Sequence, residues 1–218
     1  MKIVCMIPAR LGSKRIPQKA VKWLGDLPLY HYIIDVVKQV FPHDDIYLNA
    51  NESVFKDIAG ANDIKFYHRP LNLSKDGITN NEYIYNFIKN VKCDYVIQAN
   101  LTSPFVTVED VKNFVDSVKN YDCLFSVKKV KAEAIFQGKS LNFGKEKIDS
   151  QYIEPVSFIV WGLTGWRTKT FKINFEDTGS ASFGGKYDNI GYFELKGFST
   201  IDIDTPEDFR LAEAILKL

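Results

Sequence analysis

The chain has 218 residues, 45% of them apolar and 14% aromatic, which fits one large folded domain and excludes a disordered tail. Twenty-eight basic against 27 acidic residues leave a net charge of +1, which argues against a dedicated nucleic-acid binder with a basic surplus on one face. Cys5, Cys93 and Cys123 form no C-x-x-C pair, so no disulfide framework or zinc site is expected; the apolar runs are also too short for a membrane span, so a soluble cytoplasmic protein is expected.

Residues 2–7 form a continuous apolar run closed by Pro8, the pattern of a strand buried on both faces. Residues 9–28 are rich in Gly, Lys, Arg and Pro and read as a long functional loop. Tyr32, Ile33, Val36, Val37 and Val40 recur at helical spacing and predict a helix over 29–40, ended by Pro42. Strands are predicted at 46–50, 65–68, 95–99 and 123–127. Helices are predicted at 52–60, 80–91 and 108–120, the last opened by Thr107. From 128 to 200 the pattern changes to short apolar runs with little helical period. That region is expected to add strands and loops to the sheet, as an extension used in dimerisation. A last helix is predicted over 206–217, with Thr205 as its N-cap and Asp208 three residues on. Strands alternating with helices predict a single α/β domain, 1–218, with a Rossmann-like three-layer arrangement and a mostly parallel sheet.

The first stretch that carries chemistry is Ile7-Pro8-Ala9-Arg10-Leu11-Gly12-Ser13-Lys14-Arg15-Ile16-Pro17-Gln18-Lys19, directly after the first strand. Open α/β sheets bind ligands beyond the carboxyl ends of their strands, so a site is expected here. Gly12 permits a tight turn, successive N–H groups can form an anion nest, and Arg10, Lys14, Arg15 and Lys19 supply positive charge suited to a triphosphate. Neither a Walker A loop nor a dinucleotide fingerprint is present. A solvated basic loop is the plainer alternative.

The second stretch is Ile201-Asp202-Ile203-Asp204-Thr205-Pro206-Glu207-Asp208-Phe209. Residues two apart in an extended segment share a face, so Asp202 and Asp204 present paired carboxylates. Such hard oxygen ligands suit Mg2+, which takes one or two carboxylates and completes its octahedron with water and phosphate oxygens. Turn and helix-cap duty is the plainer use of the same acids.

The string IPARLGSKRIPQKAVKWLGDLPLYHYIID resembles the opening of the N-acylneuraminate cytidylyltransferases, whose pattern is I-P-A-R-x-G-S-K-x-[IL]-P-x-K-N. Asn100-Leu101-Thr102-Ser103-Pro104-Phe105 resembles their Q-P-T-S-P-[LF] segment. His68-Arg69-Pro70 with Leu73-Ser74 resembles their R-P-x-x-L-[AS] stretch, and residues 201–214 their I-D-I-D-T-x-E-D close. The resemblance implies a three-layer nucleotidyltransferase fold and transfer of CMP from CTP to an acidic 2-keto sugar, with release of pyrophosphate. It implies CTP phosphates on Arg10, Ser13, Lys14 and Lys19, and cytosine read by backbone groups of Ala9 and Leu11 with Arg69 nearby. It further implies Mg2+ on Asp202 and Asp204, the sugar near Asn100 and Phe183, and a homodimer. In that scheme Arg10, Lys14, Lys19, Asp202 and Asp204 are the catalytic set.

The chain also departs from the family pattern. Ala20 stands where the family has Asn, Asn100 where it has Gln, and residues 158–166 where it has N-G-A-I-Y. These departures weigh on the acceptor half of the site. Legionaminic, pseudaminic or 3-deoxy-octulosonic acid, or a phosphonate, stays open as acceptor, and so does a non-catalytic nucleotide-binding homologue.

Overall fold

A computed structural model of the chain describes residues 1–75, 77–147 and 149–218. Strand β1 (Ile3–Pro8) runs near the middle of a seven-stranded sheet, parallel to β4 (Ile46–Ala50) on one side and β6 (Tyr95–Ala99) on the other. Beyond β4 lies β5 (Lys65–His68), also parallel. Beyond β6 come β10 (Val156–Arg167), β7 (Cys123–Val130) and β11 (Ile190–Glu194). Strand β10 is antiparallel to both its neighbours, whereas β11 pairs parallel with β7. The sheet is thus mostly parallel with one reversed strand inside it.

The unbroken apolar character of β1 follows from its double burial. Cys5 and Ile7 pack on one face among residues of helices α1 (Leu29–Lys38), α2 (Ser53–Ala61), α4 (Val108–Val118) and α6 (Pro206–Ile215). Val4 and Met6 pack on the other, among residues of α3 (Asn80–Asn90) and α5 (Thr168–Thr178). Alternate side chains of an extended strand point to opposite faces, so a strand with helices on both sides must be apolar at every position. This gives the three layers expected from the sequence. Helices α3, α4 and α6 each begin with a capping box, Thr79 with Glu82, Thr107 with Asp110 and Thr205 with Asp208, which satisfies backbone donors that would otherwise lie bare at the helix start.

Two regions differ from the sequence reading. Residues 9–28 are not all loop: a 3-10 turn at Lys19–Val21 leads into a small hairpin, β2 (Trp23–Leu24) and β3 (Leu27–Pro28), turning at Gly25 with φ 62°. Residues 128–200 are more than an extension. They supply the interior strand β10, the edge strand β11, the small hairpin of β8 (Ile135–Phe136) with β9 (Lys139–Ser140), and the helix α5 that was not predicted. Helix α5 escapes a periodicity reading because Phe171, Ile173 and Phe175 stand two apart, a strand-like spelling, while Ile173 is exposed and only Thr168 and Phe171 are buried. Among the described residues no helix is long and apolar enough to cross a membrane.

Candidate active site

Strand ends and the loops after them build the site. The segment following β1 turns at Leu11, whose carbonyl accepts from the Ser13 N–H at 2.8 Å, and is tied to the neighbouring strand through Leu11 N–H to Glu52 Oε1 (2.8 Å) and Ala9 N–H to Asn49 O (3.0 Å). The acidic segment 201–204 is carried to the same edge by Ile203 N–H, which donates to the Thr102 carbonyl just after β6 (2.8 Å). Residues far apart in the chain therefore meet around a cleft of about 550 Å3.

Ala9, Arg10, Ser13, Lys14, Lys19, Arg69, Asn100 and Asp204 all line this cleft. The cations crowd one side and Asp204 answers them. Lys19, with its side chain 12% exposed, donates to the Ile203 carbonyl at 2.6 Å and lies 3.2 Å from Asp204 Oδ1, while Arg15 Nη2 reaches the same oxygen at 2.9 Å. The basic loop and the acidic segment, 184 residues apart, are thus clasped directly. A solvated surface loop has no such tie.

Asp202, Leu11 and Phe183 stand elsewhere. Asp202 is close enough to feel the Asp204 charge, and its Oδ1 is buried without a hydrogen-bond partner among the described residues. Burial holds its carboxyl above the ordinary value, opposed by a hydrogen bond from Thr102 and aided by the nearby Asp204 charge. A buried carboxylate oxygen left bare is costly unless a cation or donor completes it. That bare oxygen is one that a divalent cation would complete, and Asp202 and Asp204 are the residues that could hold it. The backbone N–H groups of Ala9 and Leu11 are already used within the protein, so base reading at these two positions would fall to carbonyl groups. Phe183 lies on an aromatic cluster with Phe125 (ring centroids 5.8 Å apart) and Trp161 (5.7 Å). Trp166, by contrast, is core.

Around Arg69, which the sequence resemblance signalled, the site gathers residues that no motif signals. Arg69 is 4% exposed and among the described residues has no carboxylate in hydrogen-bond contact; its Nε donates to Asn49 Oδ1 (2.9 Å), its Nη2 to the Asn49 carbonyl, and its guanidinium sits 4.6 Å from the Tyr83 ring centroid. Burial lowers its pKa, which remains that of a cation under ordinary conditions. Tyr83 itself lines the cleft, and its hydroxyl is within hydrogen-bond reach of Asn80 and Gln98. Asn49, Tyr83 and Gln98 belong to three different elements, and only the topology brings them together.

A family model described as "Cytidylyltransferase" matches residues 4–149. The chain belongs to the cytidylyltransferase family. It is 26% identical to the N-acylneuraminate cytidylyltransferase of Streptococcus agalactiae serotype III (strain NEM316), over 96% of this chain and 52% of that protein. It is 31% identical to the 3-deoxy-manno-octulosonate cytidylyltransferase of Bdellovibrio bacteriovorus, over 55% of this chain and 48% of that protein. The chain spans about half the length of the curated relatives it matches. Among solved structures, a CMP:2-keto-3-deoxy-manno-octonic acid synthetase complexed with CTP superposes with a TM-score of 0.77 at 16% identity, over 100% of this chain and 99% of that one. The 4-diphosphocytidyl-2C-methyl-D-erythritol synthase of Anaerococcus prevotii gives 0.72 at 16% identity, over 100% and 96%. At such identity these two likenesses speak to the cytidylyltransferase fold, which has the same α/β architecture as this chain.

Proposed function

We propose that this cytidylyltransferase transfers CMP from CTP to an acidic 2-keto sugar of the sialic acid type and releases pyrophosphate. The observation that carries the reading is the clasp of Lys19 and Arg15 on Asp204 at the mouth of a cation-lined cleft. A triphosphate and a divalent cation both need that combination of charges. In the reaction the acceptor hydroxyl oxygen bonds to the α-phosphorus, its proton passes to water, and the bond from that phosphorus to the pyrophosphate oxygen breaks.

The protein's part is positioning and charge neutralisation. Arg10, Lys14 and Lys19 hold the phosphates and offset the negative charge that grows on departing pyrophosphate, with Ser13 adding a neutral hydrogen bond. Asp202 and Asp204 would hold Mg2+, which when bound polarises the phosphate oxygens. Arg69, pinned by Asn49 and stacked on Tyr83, gives the nucleotide side a donor of fixed direction. Asn100 faces the acceptor. Phe183 does not line the cleft, and its aromatic cluster connects with the acceptor side through Trp161, whose carbonyl accepts from Asn100.

A homodimer belongs to the same reading. Phe158, Phe183, Tyr187 and Tyr192 are large exposed apolar side chains of the 128–200 region, and a second copy of the chain would cover them. Sedimentation at micromolar concentration is expected to give a dimer; a monomer would overturn this part alone.

The relatives act by name on two different sugar acids, so the acceptor is the part to test. Pyrophosphate release from CTP and Mg2+ is to be measured against N-acetylneuraminic, legionaminic, pseudaminic and 3-deoxy-manno-octulosonic acids. Turnover with the first is expected. Turnover confined to another acid replaces the acceptor. CTP binding without turnover on any acid favours a non-catalytic homologue.

A further inference from the structure

The amide of Asn100 is held at both ends. Its Nδ2 donates to the Trp161 carbonyl at 2.5 Å, and its Oδ1 accepts from Gln98 Nε2 at 2.9 Å. Trp161 reaches this place because the pairing of β10 with β7 is irregular between Ile159 and Thr164, where the Ser126 hydroxyl lies within hydrogen-bond reach of the Val160 and Leu163 carbonyls. Bulges of this kind re-aim side chains and backbone next to sites.

Gln98 is 2% exposed, and its Oε1 lies 3.1 Å from the Tyr83 hydroxyl. Burial pushes that phenol up to about 12, against the pull of Arg69 and of Gln98 itself, so it stays protonated and can donate. The Trp161 carbonyl can only accept, so the Asn100 nitrogen faces it and the Asn100 oxygen faces Gln98, which then presents its nitrogen to Asn100 and its oxygen to Tyr83. Turning either amide would set like groups face to face in a buried place. Asn100 Nδ2 carries two N–H groups, and Trp161 takes one of them. The other has no protein partner among the described residues, and Asn100 lines the cleft while Gln98 does not.

Resting on the cytidylyltransferase reading above, we propose that Gln98 is a positioning residue that holds the Asn100 amide by its oxygen, while the Trp161 carbonyl sets its polarity. The acceptor side of the cleft then offers an N–H donor and selects a substrate that brings an oxygen acceptor there, such as a carboxylate or hydroxyl oxygen of a sugar acid. Gln98 acts only through Asn100.

The test is steady-state kinetics of the whole protein with CTP, Mg2+ and N-acetylneuraminic or 3-deoxy-manno-octulosonic acid. Gln98→Met, Gln98→Glu, Asn100→Ala and the double variant Gln98→Met/Asn100→Ala are compared with the parent. Gln98→Met, which keeps the volume and loses the donor, is expected to raise the acceptor KM about tenfold and leave the CTP KM within about twofold. In Gln98→Glu the acceptor KM rises more at alkaline pH and recovers as pH falls, because a protonated carboxyl regains an O–H donor for Asn100. The double variant matches Asn100→Ala alone, since a residue that acts through another adds nothing once the other is gone.

An unchanged acceptor KM in Gln98→Met, a parallel rise of both KM values, or additive losses in the double variant would overturn the inference. Should Gln98→Met fail to fold, the pH profile of Gln98→Glu decides in the same two directions. A parent that binds CTP in calorimetry but turns over neither acid overturns the sugar-acid reading itself, and that failure is visible before any variant is made.

Discussion

At the scale of residues, Lys19 does two things at once. It carries charge into the cleft and ties the basic loop to the acidic segment through Ile203 and Asp204. Lys19→Met is therefore expected to lower kcat/KM by about 100-fold or more, the loss usual for a preorganised charge at a phosphate; a loss under about threefold would show that the tie is ornamental. Arg69→Lys should raise the CTP KM about tenfold with kcat little changed, because lysine can reproduce neither the fork to Asn49 nor the stacking on Tyr83. Initial rates over a CTP series check this.

Asp202 gives a signed prediction. Its carboxyl is held above the ordinary 3.8 chiefly by burial, and a group whose folded pKa is raised contributes stability that is whole below the unfolded value and is lost as pH rises through the folded one. At neutral pH the metal-free protein carries that loss. Asp202→Asn should thus melt a few degrees higher than the parent without metal at pH 7, while Mg2+ raises the melting temperature of the parent and not of the variant. Melts with and without Mg2+ decide it, and a variant that melts lower or gains equally from Mg2+ contradicts the account.

The charged residues were legible because they sit in two contiguous stretches, each at an element boundary. Tyr83, Gln98 and Asn49 were not legible, since each looks like an ordinary helix or strand residue until the sheet order brings β4, β6 and α3 to one edge.

At the scale of elements, the alternation of strand and helix up to residue 120 reads correctly because the strands there are short, mostly apolar runs and each helix keeps its 3.6-residue period. It fails over 128–200 for local reasons. Strand β10 has an exposed first half and a buried second half with an irregularity between them, so no single period describes it. Helix α5 buries too little to write a stripe. Gly165 in β10 makes the packing of that strand testable: a Cβ there would lie 2.5 Å from Val118 Cγ2 of α4, and a β-branched neighbour has little freedom to retreat. Gly165→Ala should destabilise the protein by about 1–3 kcal/mol, read by urea unfolding, with a smaller effect meaning that α4 can shift.

At the scale of the molecule, the parallel strands end together, and their loops converge on one cleft, the general habit of open α/β sheets. The chain spans about half the length of the curated relatives it matches, yet it holds the cleft with its cations and Asp204, and the buried Asp202 nearby. The central claim is that this cleft binds CTP for transfer of its CMP moiety. Pyrophosphate release with CTP, UTP and GTP in turn, each with Mg2+ and the sugar-acid panel, tests it most directly. Release with CTP and a sugar acid, matched one for one by CMP-sugar, is expected, with little from the other nucleotides. No release with CTP on any acceptor, or equal release with UTP or GTP, would contradict it.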